Sequence, residues 1–237
     1  MVEGLALHFG GSVVFEDLSF RIEGGRCVAL LGASGIGKSS LLRILAGLLA
    51  PSAGTVRLSD GGAPRGRIAY MAQQDLLYPW LTALDNVTLG ARLRRQQPDT
   101  ARALHLLERV GLAGRARALP AELSGGMRQR VALARTLYED RPVVLMDEPF
   151  SALDAITRAR MQEQAAALLA GRTVLLITHD PLEACRLGHH LLVMSGQPAR
   201  LGPPIAVPGN APRPPDDPEV LRLQGQLLRL LSAGEAE

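Results

Sequence analysis

A single lysine stands among 26 basic residues, and its neighbours give it a chemistry. Lys38 lies in Gly32-Ala33-Ser34-Gly35-Ile36-Gly37-Lys38-Ser39, which fits the phosphate-loop spacing G-x-x-x-x-G-K-[ST]. Glycines let backbone N–H groups turn toward an anion, and the N-terminus of a following helix adds positive potential. A compact ammonium fits between β- and γ-phosphate oxygens as a point charge. A planar guanidinium fork is too large for that place, although every other basic residue here is arginine. Ser39 would place its hydroxyl on Mg²⁺. A second pair, Asp147-Glu148, ends the apolar run Val143-Val144-Leu145-Met146. Two carboxylates at a buried strand end need a cation or a proton. Asp147 on the Mg²⁺ shell and Glu148 polarising an attacking water meet both needs. Such a pair alone reads as a solvated edge, but with Lys38 it reads as part of a nucleotide hydrolase. Ser124-Gly125-Gly126 offers an N-cap and two bare N–H groups, a second anion site at a helix start. His179 ends another apolar run, where an imidazole needs a partner, whereas His8, His105, His189 and His190 read as surface or packing residues.

These groups must be carried by alternating strands and helices. Residues 5–9 and 13–15 flank Gly10-Gly11 and read as a hairpin, and residues 26–31 as an apolar strand entering the glycine loop. Leu41, Leu42, Leu45, Leu48 and Leu49 recur at helical spacing, which predicts a helix over 39–49 that closes on Pro51. The continuous apolar runs 142–146 and 173–178 suit strands buried on both faces of a parallel sheet, so the fold class is α/β. From 82 to 139 the strand signal gives way to helical periodicity, predicting an inserted helical lobe over about 74–138. The prolines between 203 and 218 suit an extended linker, with a short amphipathic helix over 219–231. Residues 1–205 are therefore expected to form one ATPase domain, and residues 206–237 a Pro-rich linker and short C-terminal helix.

Composition excludes several classes. With 47% apolar and 21% charged residues in 237, the chain can bury a core and is neither disordered nor fibrous. A net charge of +3 is too small and dispersed to imply nucleic acid. No apolar run approaches the roughly 18 residues of a membrane helix. The first twenty residues lack the basic start and apolar block of a signal peptide. Cys27 and Cys185 make no framework and read as buried, reduced thiols.

The segment Leu123-Ser124-Gly125-Gly126-Met127-Arg128-Gln129-Arg130 is similar to the signature of ATP-binding cassette (ABC) ATPases. Further family elements fall in order. Gln73 matches the Q-loop glutamine, with Gln74 beside it as the alternative; Ser151-Ala152-Leu153-Asp154 resembles the D-loop, and His179 the switch histidine. Phe9 stands where the family has an aromatic that stacks on adenine, its bland alternative being a core residue. Ala72 and Ile36 depart from the usual residues at their places, but neither supplies a catalytic group. The resemblance implies a P-loop NTPase core with a mostly parallel sheet, a small antiparallel β subdomain and an inserted helical lobe. It implies nucleotide contacts from Phe9 and from Gly32, Ala33, Ser34, Gly35, Ile36, Gly37, Lys38, Ser39 and Ser40. Mg²⁺ would fall to Ser39, Gln73 and Asp147, and catalysis to Glu148, His179 and Gln73. Ser124, Gly125, Gly126 and Asp154 would reach the ATP of a second subunit, so a head-to-tail homodimer with two ATP molecules is expected. Partners would be separate transmembrane permease subunits and, indirectly, an extracytoplasmic solute-binding protein. The chain itself would sit peripherally at the cytoplasmic face of the membrane. The motifs around Tyr78, Met127 and Pro149 look like the nitrate, sulfonate, taurine and thiamine-precursor importer group. The exposed apolar set Leu76, Leu77, Tyr78, Pro79, Trp80 and Leu81 reads as a permease contact or as lobe packing. Two alternatives remain at this stage: a soluble ABC-type ATPase not linked to transport, and a P-loop kinase, which would have no use for the signature or His179.

Overall fold

The computed structural model describes residues 1–234. The chain opens with β1 (Val2–Phe9) and β2 (Ser12–Phe20), an antiparallel hairpin turning at Gly10-Gly11, both with positive φ. β3 (Cys27–Gly32) leads into α1 (Lys38–Leu45), and β4 (Ala53–Val56) returns to pair antiparallel with β1, giving a three-stranded sheet of order β2-β1-β4. β5 (Ile68–Met71) enters the second sheet. The helices α2 (Ala83–Leu93), α3 (Thr100–Arg109) and α4 (Gly125–Tyr138) follow. Then come β6 (Val143–Asp147), α5 (Ala155–Leu168), β7 (Thr173–Ile177), α6 (Pro181–Leu187) and β8 (His190–Ser195). The short β9 (Arg200–Leu201) and β10 (Ile205–Ala206) precede α7 (Pro218–Gly234).

The second sheet carries five parallel strands in the order β8-β3-β7-β6-β5, with β9 and β10 antiparallel beside β8. Alternation along β3 divides the core. Leu30 joins Leu41, Leu42 and Leu45 of α1 on one face, while Ala29 and Leu31 face Val220, Leu223 and Leu227 of α7 on the other. Register places Asp147 opposite Ile177, and Ile177 opposite Leu30, so β3, β6 and β7 end on one rim. Loops leaving the carboxyl ends of parallel strands are where open α/β sheets bind ligands.

Three departures from the sequence reading have local causes. The helix expected over 39–49 stops at Leu45, because Gly47 takes a φ of 73° and the N–H groups of Leu48 and Leu49 fold back onto the Arg43 carbonyl at 2.8 and 3.2 Å. The Pro-rich stretch expected as a linker is pinned to the core. Arg213 is buried there, and its guanidinium donates to the carbonyls of Cys185, Gly188 and Val207 at 2.8 to 3.0 Å. The C-terminal helix, expected as short, runs 17 residues. Cys185 is buried and Cys27 half-buried; both are free thiols, and burial pushes them up to about 11 and about 12. Among the described residues, no helix is long and apolar enough to cross a membrane.

Candidate active site

The strand-to-helix turn between β3 and α1 permits only glycine at two points. A Cβ on Gly32 would lie 2.5 Å from the Met194 carbonyl, and one on Gly37, whose φ is 106°, would lie 2.7 Å from Val14. Lys38 follows as the first residue of α1, 7% exposed, with Nζ donating to the carbonyls of Gly32 at 2.8 Å and Ala33 at 2.7 Å. Burial lowers its pKa, and the facing Glu148 and Asp147 carboxylates pull it back up. Asp147, 3% exposed at the end of β6, has its pKa raised by burial and by Glu148, against a hydrogen bond from the Ser39 hydroxyl and the charge of Lys38. Lys38, Ser39 and Asp147 thus form one linked group.

Glu148 leaves β6 with a φ of 48°, and its N–H is held on the Ile177 carbonyl at 2.9 Å. That turn aims its carboxylate over the rim. Gln73, just past β5, donates Nε2 to Glu148 Oε2 at 3.3 Å, and His179 Nδ1 lies 3.2 Å from the same oxygen. Gln73 rather than Gln74 therefore meets the acid. His179 does find a partner, but its imidazole is 63% exposed rather than enclosed at a strand end.

Sequence reasoning missed Gln129. It is 4% exposed on α4, donates Nε2 to the Glu148 carbonyl at 2.9 Å, and accepts from the Ala152 N–H at 2.9 Å. It fixes both the strained backbone of Glu148 and the start of the segment leading to Asp154. A signal existed: Gln129 shares a helical stripe with Ala132 and Leu133, and an amide on an apolar stripe needs partners.

Other expected residues stand apart. Phe9, at the tip of β1, is 70% exposed and not in the core. Ser124 caps α4, accepting from the Met127 N–H at 3.2 Å, and Asp154 caps α5, accepting from the Thr157 N–H at 3.0 Å. Both are exposed, as is Gly125, while Gly126 is half-buried. Among the described residues no hydrogen bond joins Ser124 or Asp154 to Lys38, Ser39 or Asp147. Gln73, Gly125, Gln129 and Ala152 line an open groove of about 410 Å³. Arg128 and Arg135 lash its wall together: Arg128 donates to the Asp75 carboxylate at 2.9 Å, and Arg135 to the carbonyls of Asp75 and Leu76 at 2.6 and 2.8 Å. The apolar set beside it divides: Leu77 packs on the core, whereas Leu76, Tyr78 and Trp80 are exposed, with the two rings edge to face 5.3 Å apart.

Residues 15–151 match the profile of the family described as ABC transporter. The chain belongs to that family. This ABC ATPase is 44% identical over 235 residues to an uncharacterized ABC transporter ATP-binding protein of Haemophilus influenzae, with 97% of each chain covered. It is 45% identical over 237 residues to an aliphatic sulfonates import ATP-binding protein of Rhodococcus jostii, covering 98% of this chain and 94% of the relative. Among solved structures, it superposes on a dimeric ATP-binding cassette in a post-hydrolysis state bound to ADP and Pi. That match has a TM-score of 0.79 and 29% identity and covers 88% of this chain and 99% of the other. The mixed α/β fold and the capacity to hydrolyse ATP of ABC cassettes therefore apply to this chain.

Proposed function

We propose that this ABC ATPase binds Mg²⁺ and ATP on the Lys38 rim, hydrolyses ATP within a homodimer, and so drives a permease that imports an aliphatic sulfonate. The observation that supports the chemistry is the convergence of Gln73 and His179 on one oxygen of Glu148, beside the buried Lys38 and Asp147 and the half-buried Ser39.

The residues present fit Mg²⁺. Asp147 is a buried carboxylate already drawing the Ser39 hydroxyl, and both are hard oxygen donors. Among the described residues no cluster of three or more His, Cys, Asp or Glu side chains could hold a metal by itself. That suits an ion bound through one carboxylate, a hydroxyl and the nucleotide's own phosphates, with Gln73 adding an amide oxygen. When bound, the ion would neutralise charge developing on the phosphates. Lys38 would exchange its two loop carbonyls for phosphate oxygens, keeping its hydrogen bonds satisfied as ATP enters. Glu148 would accept the proton of the attacking water, and His179 would hold the γ-phosphate and that water in line with the acid. Phe9 would stack on adenine. Ser124, Gly125 and Gly126 at the start of α4, with Asp154, would close over the ATP of the other subunit, where N–H groups and the helix dipole add positive potential.

Exposed Tyr78 and Trp80 would supply an apolar contact for the permease, and a subunit bound there would sit peripherally at the cytoplasmic face of the membrane. The substrate reading rests on the sulfonate-importer relatives. It is tested by reconstituting the subunit with its permease and solute-binding protein in vesicles and measuring ATP turnover against a panel of solutes. Stimulation by aliphatic sulfonates is expected. Stimulation by nitrate or a thiamine precursor, with none by sulfonates, would overturn it.

A further inference from the structure

The loop that carries His179 is held by a buried polar chain that the catalytic reading does not use. Thr178 is 3% exposed, and its N–H donates to the Leu30 carbonyl at 3.2 Å. Its hydroxyl accepts from the Asp180 N–H at 3.0 Å and donates to the Glu183 carboxylate, so the two residues flanking His179 are fixed by one oxygen. Glu183 lies on α6, 4% exposed, and also accepts from Gln162 Nε2 of α5 at 3.0 Å. Gln162 in turn accepts from Arg186 Nη1, and Arg186 donates Nε to the Arg213 carbonyl at 2.9 Å. Arginine has no acceptor, so the order of donors runs from Arg186 through Gln162 and ends on Glu183. Position 183 must accept from two sides at once.

We infer that Glu183 is a positioning residue for hydrolysis, holding through Thr178 the loop that presents His179 to Glu148. The inference rests on the reading that His179 acts at the γ-phosphate. A buried carboxyl is a costly way to fill this space. Burial and the nearby Asp180 push Glu183 up, to about 7, against the two hydrogen bonds and the charge of Arg158. An apolar side chain would pack there without that cost, but it would leave the Thr178 hydroxyl and the Gln162 amide without an acceptor. Both α5, which begins at Asp154, and α6, which follows His179, meet at this carboxylate. It therefore ties α5 to α6 and to the loop that carries His179 at one point.

The test uses the full chain with ATP and compares Glu183→Ala and Thr178→Val with the parent. Turnover is measured together with the ring Cε1–H NMR signals of the histidines, that of His179 being identified by its loss in His179→Ala. Each variant should lower kcat about tenfold with KM for ATP within about twofold, because Lys38 and its loop are untouched. The His179 signal should shift or broaden while those of His8 and His105 stay in place. An unchanged kcat, or a fall in kcat with the His179 signal unmoved, would overturn the inference. If Glu183→Ala does not fold, Thr178→Val alone decides, since it keeps the shape and removes only the hydroxyl. Parent-like turnover by His179→Ala would instead remove the reading of His179 as a phosphate contact, leaving the NMR comparison to judge the placement by Glu183.

Discussion

Replacing Gln129 with leucine removes two short hydrogen bonds at the centre of the site, and a longer one to the Ser151 hydroxyl at 3.4 Å, while keeping nearly the same volume. The short bonds are the donation to the Glu148 carbonyl and the acceptance from the Ala152 N–H, each at 2.9 Å. At about 1 kcal/mol each they sum to about 2 kcal/mol. The larger penalty for orphaned buried groups does not apply in full. The Glu148 carbonyl keeps the Ser151 hydroxyl at 3.0 Å, and Ala152 is exposed, so its N–H regains water. For a chain of this size the loss should lower Tm by about 4–8 °C. It should also slow hydrolysis, because Glu148 sits at a φ of 48°, a costly conformation for a residue with a Cβ, and Gln129 holds the carbonyl of that residue. Thermal unfolding by circular dichroism and ATP turnover below the transition measure the two effects separately. A variant with parent-like Tm and turnover refutes the account of Gln129. A lowered Tm with unchanged turnover shows that the amide supports the fold but does not place Glu148.

Three further outcomes follow from the site. Lys38→Ala should abolish ATP binding, since the loop loses its compensating charge against the triphosphate, and a titration with parent-like affinity would remove the phosphate-loop assignment. Trp80→Ala should leave Tm and basal turnover intact, because the ring is 70% exposed, but weaken co-purification with the permease; a collapse of Tm would assign the ring to lobe packing instead. Glu183 gives a pH dependence of known sign. The folded carboxyl keeps its proton up to about 7 against an ordinary 4.5, so between these values the folded chain binds more protons and stability falls as pH rises. The loss is on the order of 3 kcal/mol, and Glu183→Gln should show a smaller drop in Tm between about pH 5 and about pH 8 than the parent, an equal drop counting against it.

The strands that carry the site were legible because β3, β6 and β7 are continuous apolar runs, and the phosphate loop because Gly32, Gly37 and Lys38 each satisfy a steric or charge demand visible in their type. Contacts between distant segments were not. Gln129 reaches Glu148 across 19 residues, and Gln162 reaches Glu183 across 21, and nothing local in either amide names its partner. The C-terminal stretch was misjudged for a related reason. Its prolines suit a chain without helix, and residues 207–217 form none, but composition does not reveal that Arg213 will thread its guanidinium among the carbonyls at the end of α6. Propensity ended α1 too late because the leucines at 48 and 49 keep the helical period while Gly47 has already turned the backbone.

The central claim is that Glu148 drives hydrolysis in a site completed by a second subunit, and Glu148→Gln tests both halves at once. The amide keeps the shape and can still meet Gln73 and His179, but it cannot take a proton from water. In saturating ATP, size-exclusion chromatography with light scattering should show the variant accumulating as a dimer, its turnover lowered by roughly a hundredfold or more, while the parent returns to monomer as ATP is spent. A variant that stays monomeric would contradict the shared site, and one that hydrolyses at the parent rate would contradict Glu148 as the base.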